Sequence, residues 1–502
     1  MASSHIAQAC LDAYAALPRG GGKPHMRSNG RQEWTVLAGA VLELPTGSLH
    51  TLAVATGVKC LPYEHLSAHG DLLHDCHAEV LTRRSVRIWL LDRLLLEHRE
   101  PASMPDGLPR LFCASDAGPS RWRLRDSVRI HWYISTLPCG ELSSRVLHIA
   151  HVQQDGGAPA RDADTGTEQG ASLHRGHSSV HTGAAALVLR TKPGRRDAPP
   201  SISMSCTDKL TMWSALGIQG GLLSQWLDPV PIASVVISAP PDTLRAQALD
   251  VWRATCLQTR AAEFRAHCAQ TLPPPSVHTT PVAFPDAFEE VDRRMRANTV
   301  STGTPRILED AQPVASAASV HWRRGAKVES VLGGIRLGAS ARRRRGAALA
   351  PSQHSALCKR AYLRRILQAA HDLREAGADQ TSSGLQAARV SPATDRRTYF
   401  DHKHAPGADA PLSWTRGRAA YQAGKAQLRG NGGDAAVEQF VAGKGASAQA
   451  EPWCAELAQA APSAARTPGA SCRPLRGAAG AAPPLSAWLV TPRRVHAFSV
   501  ED

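Results

Sequence analysis

The sequence predicts an α/β fold: a mixed sheet flanked by helices, with a helical C-terminal extension and disordered inserts. Three observations predict it. Two apolar runs, WTVLAGAVLEL (Trp34–Leu44) and LHTLAVAT (Leu49–Thr56), are separated by Pro45-Thr46-Gly47 and read as a hairpin. Further strand-like runs, Arg129–Leu137 and Ile232–Ser238, alternate with helix-patterned segments. Between them lie polar stretches rich in Gly, Pro and Ser, which pack poorly.

The elements follow in order. Ile6, Ala9, Cys10, Ala13 and Leu17 recur at helical spacing after the capping residues Ser3 and Ser4. Arg19 to Arg31 is a Gly- and Arg-rich loop leading into the hairpin. A long helix is expected from His77 to Glu97, and a third strand ends at Pro138-Cys139-Gly140. Ala185–Thr191 is strand-like, a helix follows Cys206 through Trp226, and another covers Gln353–Glu375. One domain is therefore expected over residues 1–425, interrupted by flexible inserts near 151–183, 272–316 and 405–418. Residues 430–502, dominated by Ala, Gly and Pro, are expected to be a disordered low-complexity tail.

Composition narrows the function classes. No run of about 18 uninterrupted apolar residues exists, so a membrane-spanning helix is not expected. The first 20 residues lack a basic stretch followed by an apolar one, which argues for an intracellular protein, nuclear or cytoplasmic. Eleven scattered cysteines, an odd number, speak against a disulfide framework. A formal net charge of +15 fits a polyanionic partner, nucleic acid first. Nothing in the sequence calls for an obligate protein partner.

Three segments carry chemistry: Asp75-Cys76-His77-Ala78-Glu79, Pro138-Cys139-Gly140 and Ser203-Met204-Ser205-Cys206. One imidazole and two thiolates can hold Zn²⁺ tetrahedrally with the fourth position left for water, as in a catalytic site. Glu79, two residues from His77, is placed to move protons and not to ligate, the H-x-E logic of zinc deaminases. A helix N-terminus beside these groups would favour thiolate. Spacing alone leaves this open. Leu142 stands where a Pro-Cys-x-x-Cys pattern would have its second cysteine, and Cys139 and Cys206 read equally as ordinary buried cysteines.

The surrounding sequence adds to this. Thr56-Gly57-Val58-Lys59-Cys60, His77-Ala78-Glu79-Val80 with Arg83-Arg84-Ser85, Pro138-Cys139-Gly140, Ser203 through Lys209, and Gly217-Ile218-Gln219-Gly220 occur in that order. Together they resemble the adenosine-to-inosine editing deaminases. Glu33-Trp34-Thr35 and Arg190-Thr191-Lys192-Pro193 look most like the eukaryotic branch acting on tRNA. The resemblance implies a cytidine-deaminase-like sheet and zinc-dependent hydrolytic deamination of adenosine to inosine. The implied substrate is the adenosine 3′ of the anticodon in alanine tRNA. It implies His77, Cys139 and Cys206 as metal ligands, Glu79 as general acid and base, and Lys59 as an RNA contact.

It also implies a buried inositol hexakisphosphate, held by Arg83, Arg84, Lys209, Trp213, Lys359, Tyr399, Lys403, Tyr421 and Lys425. Against the family pattern, His74 replaces an Asn, Met212 an Arg, and Glu141-Leu142 an Asp-Ala pair. An editor of double-stranded RNA and a catalytically decayed RNA-binding scaffold are the alternatives. The Arg342–Arg345 run reads as an RNA contact, an import signal or a solvated loop.

Overall fold

A computed structural model describes residues 2–99, 104, 106–117, 121–143, 173–175, 189–192, 199, 201–239, 243–254, 257, 272–302, 312–338, 348–377 and 399. Lys403, Tyr421, Lys425, the Arg342–Arg345 run and the 405–418 and 430–502 segments lie outside the described residues.

The strands are β1 (Glu33–Trp34), β2 (Leu37–Glu43), β3 (Leu49–Thr56), β4 (Val58–Cys60), β5 (Asp75–His77), β6 (Phe112–Ala114), β7 (Trp122–Leu124) and β8 (Arg129–Ile134). They continue with β9 (Leu173–Arg175), β10 (Leu189–Thr191), β11 (Ser234–Ser238), β12 (Ser276–Thr280), β13 (Val314–Ala315), β14 (Ala318–Arg323), β15 (Glu329–Leu332) and β16 (Ile335–Arg336). The helices used below are α1 (Ala2–Ala15), α2 (Ala78–Arg99), α3 (Cys206–Leu216), α4 (Gly220–Leu223), α5 (Thr243–Val251), α6 (Phe288–Thr302) and α7 (Lys359–Gly377).

The main sheet has eight strands in the order β12-β11-β8-β2-β3-β14-β15-β16. β8, β11 and β12 run parallel, and the remaining neighbours are antiparallel, so the sheet is mixed. The two faces sort cleanly by the two-residue period of a strand. Ile130, Trp132 and Ile134 of β8, with Val235 and Ile237 of β11, pack into the core that holds Leu90 and Leu94 of α2 and Trp213 of α3. Tyr133 and Val236 point the other way, into a second core with Ile6, Cys10 and Tyr14 of α1. Both faces are thus covered, as a partly parallel sheet requires.

Several expectations change here. Trp34, expected to open the hairpin, lies outside it; with Glu33 it pairs in parallel with Val314 and Ala315. The Leu272–Ser316 stretch, expected as a flexible insert, supplies β12 to the sheet and forms α6. Val277 and Phe284, both buried, anchor it despite its polar composition. The helix expected through Trp226 breaks at Gly217 (φ 81°), where α3 ends before α4 begins.

Glu329 of β15 ties that edge to the chain entering α7. His321 Nε2 stands 2.9 Å from its Oε1, the Ser355 hydroxyl donates to the same oxygen, and the Ala356 N–H donates to Oε2 at 3.1 Å. Burial alone would raise the Glu329 pKa, but these donors override it and hold the carboxyl below its ordinary value. A carboxyl with a lowered folded-state pKa stabilises the fold fully above its unfolded pKa, and that stability is lost as pH falls through the folded value. Acid titration of thermal stability should therefore show a steeper loss below the ordinary carboxylate range in the parent than in Glu329→Gln. Parallel curves would contradict the assignment.

Candidate metal centre

Each ligand candidate is delivered by a different local device. His77 is the last residue of β5, not the first of a helix as expected; Val58 of β4 pairs with it. The Ala78 N–H then donates to Gly57 O at 3.0 Å, and α2 starts, so Glu79 falls in its first turn. Cys139 follows β8 and precedes Gly140, whose φ is 115°. A Cβ on Gly140 would lie 2.2 Å from Ser205 Oγ, so close packing against the next segment requires glycine there.

Cys206 opens α3, where the Ser205 side chain caps by accepting from the Asp208 N–H at 3.2 Å. The α3 terminus meets the Cys139 loop directly: Cys206 N–H donates to Cys139 Sγ at 3.4 Å and Thr207 N–H to Cys139 O at 3.0 Å.

These segments bring His77, Cys139 and Cys206 together. His77 Nδ1 is 3.7 Å from each sulfur, and all three ligand atoms lie within 4.8 Å of one another. Zn–S bonds of about 2.3 Å and Zn–N bonds of about 2.0 Å at tetrahedral angles give edges of about 3.5–3.8 Å. The donor set therefore fits a tetrahedral zinc ion with one position open. It is the one such His/Cys/Asp/Glu group among the described residues.

The two sulfurs act on each other. Cys139 is held well below the ordinary thiol pKa: the Cys206 thiol donates to it, and Lys192 and His77 add positive charge, against the cost of burial. Cys206 shifts the opposite way, through burial first and then its hydrogen bond to Cys139, so the two sulfurs hold one proton between them, which a bound metal would displace. Behind the sulfurs lies a polar core that the sequence reading did not identify. Lys192 Nζ stands 3.1 Å from Cys206 Sγ and donates to Asp75 at 2.8 and 3.0 Å. Lys209 Nζ also donates to Asp75, so an ammonium, a carboxylate and a second ammonium run from the sulfur toward α3. Burial would raise the Asp75 pKa; the two lysines drive it far below the usual range.

Glu141, one of the departures from the family pattern, pairs with the buried Arg190 at 3.0 Å and pins the Cys139 loop to β10. The only sequence signal for this set was charged residues inside otherwise buried motifs, Asp-Cys-His and Arg-Thr-Lys.

Glu79 is 2 % exposed, and its Oε2 has no hydrogen-bond partner among the described residues. It sits close enough to His77 and Cys139 to feel both charges. Burial raises its pKa above the usual carboxylate value, the shift needed by a group that must both accept and deliver protons near neutrality.

Of the remaining expected site residues, Lys59 is exposed on β4, opposite Cys76. Arg83 and Arg84 lie on α2, partly buried. The Arg83 Nε donates to Ile218 O at 3.0 Å with its guanidinium 4.9 Å from the centre of the Trp213 ring, and Arg84 Nη1 donates to Leu357 O at 2.8 Å. Lys359 and Tyr399 are buried, and the Tyr399 phenol is near enough to act on Arg84. His74 accepts from the Ser67 N–H at 3.3 Å, and Met212 is core.

This mixed sheet, with its imidazole-and-thiol centre at the start of a covering helix, is a cytidine-deaminase-like α/β architecture. The adenosine-deaminase (editase) domain family matches residues 53–406, well over half of the chain, and the chain belongs to that family. It is 36% identical over 235 residues to "tRNA-specific adenosine deaminase 1" of Schizosaccharomyces pombe, covering 46% of this chain and 56% of that protein. The protein of the same description in Saccharomyces cerevisiae is 34% identical over 198 residues, covering 38% and 47%. "Double-stranded RNA-specific editase B2" of Mus musculus is 30% identical over 214 residues, covering 40% and 27%. The chain thus spans about half the length of the tRNA-specific relatives it matches. No described helix is long and apolar enough to cross a membrane.

Proposed function

We propose that this chain is a zinc-dependent deaminase converting adenosine to inosine in tRNA, at the adenosine 3′ of the anticodon in alanine tRNA. The convergence of His77, Cys139 and Cys206 beside the buried carboxyl of Glu79 carries this reading. Zinc, held by those three side chains, supplies a water acidic enough to act as a nucleophile at neutral pH. Glu79 does the proton work. Its Oε2 takes one proton of the attacking water and delivers it to the purine ring, then carries the second, from the hydroxyl newly bonded to C6, to the amine as the C6–N bond breaks, so that ammonia leaves and inosine remains. Burial of Glu79 keeps bulk water from competing for that proton. Lys192 and Asp75 hold Cys206 in place, since a sulfur paired with a buried ammonium has little freedom to rotate away.

The tRNA reading is supported by the identity to the two fungal tRNA enzymes, 36% and 34%, against 30% to the double-stranded-RNA editase. The net charge of +15 suits any RNA.

The same proposal includes a buried inositol hexakisphosphate among Arg83, Arg84, Lys209, Trp213, Lys359 and Tyr399. The fit rests on the convergence of basic groups beneath the surface. Burial, followed by the charge of Arg87, lowers the Arg84 pKa, the response expected where like charges are enclosed together. A polyanion there would neutralise them and stabilise the fold as any native-state ligand does.

The test incubates the purified full chain with total tRNA and, separately, with a perfect RNA duplex, and maps inosine. Inosine beside the alanine anticodon is expected. Inosine in the duplex alone would support the double-stranded-RNA editor, and none in either, with zinc bound, would overturn the enzymatic reading. In the same assay, Lys59→Ala should raise KM for tRNA about 3- to 10-fold with kcat little changed. The salt dependence of binding should weaken by about one phosphate contact. An unchanged KM and salt slope would remove Lys59 from the RNA surface.

A further inference from the structure

Arg87 of α2 is a basic side chain to which the proposed chemistry gives no role. It lies one helical turn beyond Arg83, on the same side of the helix. Its Nε donates to Gln219 O at 3.1 Å, and its guanidinium lies 4.3 Å from the centre of the Tyr362 ring. Arg83 is set by the same device one residue earlier, with Ile218 O as acceptor and Trp213 as the ring. Two neighbouring carbonyls and two aromatic faces therefore orient two guanidiniums side by side.

The backbone leaves room for this. Gly220 has φ 73°, and a Cβ there would lie 3.1 Å from Arg87 Nε, 3.2 Å from Arg87 Cζ and 3.4 Å from Arg83 Nη2. A side chain at position 220 would press on the Arg87 guanidinium, which would have to give by a few tenths of an ångström, and would touch that of Arg83. Arg84 completes the group through Leu357 O.

Holding three guanidiniums within about one helical turn, partly buried, costs electrostatic energy that an anion would return. α3 adds a single ammonium, Lys209, to the site. Met212 belongs to the apolar core, and the Lys209 ammonium is drawn to Asp75. The planar fork of arginine matches phosphate oxygens two at a time, and stacking on a ring fixes the plane in advance.

We propose that Arg87 is a further binding residue for the buried polyphosphate, placed beside Arg83 by Gln219, Gly220 and Tyr362. This rests on the reading that the cluster holds inositol hexakisphosphate. The experiment separates the two. Full-length parent, Arg87→Gln and Arg87→Lys are purified, checked for zinc, and assayed for co-purifying inositol hexakisphosphate by extraction and mass spectrometry. Binding of added inositol hexakisphosphate is then followed by thermal shift at several salt concentrations.

The parent is expected to carry about one polyphosphate per chain and to be stabilised by it. Arg87→Gln keeps a donor for Gln219 O but no charge. It should retain zinc and lose affinity by about tenfold or more, with a weaker salt dependence. Arg87→Lys should fall between the two, because it keeps the charge without the fork. Should Arg87→Gln fail to fold, Arg87→Lys decides: weakened binding with zinc retained supports the proposal, and parental affinity overturns it. Equal affinity in the parent and Arg87→Gln overturns the role of Arg87 alone. A parent that neither carries nor responds to inositol hexakisphosphate overturns the ligand reading, and this proposal with it.

Discussion

Glu79→Gln is expected to lower inosine formation by about 10⁴-fold while leaving the metal content and the thermal midpoint close to the parent. Proton transfer by one positioned group contributes about 10² to 10⁴ in rate, and here a single carboxyl serves the attacking water, the ring and the leaving amine. The amide is nearly isosteric with the carboxyl, so the packing around this 2 % exposed residue survives the change. Removing an ionisable group whose Oε2 has no hydrogen-bond partner among the described residues also orphans none of them. The variant should therefore separate chemistry from folding. It is checked by single-turnover deamination of tRNA alongside metal analysis. Parental activity in Glu79→Gln would show that another group moves the protons.

Cys206→Ala should act on the other half of the site. It is expected to reduce zinc from about one per chain to a small fraction of that and to abolish inosine formation, because two donors cannot close a tetrahedral site. It should also destabilise the chain. Binding free energy at a metal centre is in part folding free energy. The Lys192 ammonium would lose its nearest sulfur while keeping its hydrogen bonds to Asp75. A loss of roughly 3–5 kcal/mol, at about 2–4 °C per kcal/mol, lowers the thermal midpoint by about 10 °C. Metal analysis and a melting curve on the same sample check both parts. Full zinc occupancy in Cys206→Ala would take this residue out of the ligand set.

How far the sequence reached depended on the range of the interaction. The β2–β3 hairpin was legible because Pro45-Thr46-Gly47 sits between two apolar runs, and both runs pair as expected. β11 was legible as a short apolar run. The pairing of Glu33-Trp34 with Val314-Ala315 was not, since a two-residue strand has no periodicity and its partner is far along the chain. β12 was missed because Val277 is its single apolar residue, in a stretch that reads as polar.

At the site, His77, Glu79, Cys139 and Cys206 were singled out by residue type and motif. His77 was placed in the helix because nothing in Asp-Cys-His marks a three-residue strand; its pairing with Val58 depends on the close approach of Gly57 to Cys76, where a Cβ would lie 2.0 Å from the Cys76 carbonyl oxygen. The Asp75–Lys192–Lys209 set and the Glu141–Arg190 pair depend on tertiary contact, which charge and spacing do not encode. Arg87 belongs to none of the motifs read from the sequence. Its significance comes from Gln219, Gly220 and Tyr362, brought to it by α4 and α7.

The central claim is that His77, Cys139 and Cys206 close on one metal ion. X-ray absorption at the zinc edge of the purified full chain tests it most directly. The expected spectrum shows two sulfur neighbours at about 2.3 Å and lighter neighbours at about 2.0 Å, in four-coordinate geometry. A chain that binds no zinc, or zinc with no sulfur in its shell, would contradict the site and the catalytic reading built on it.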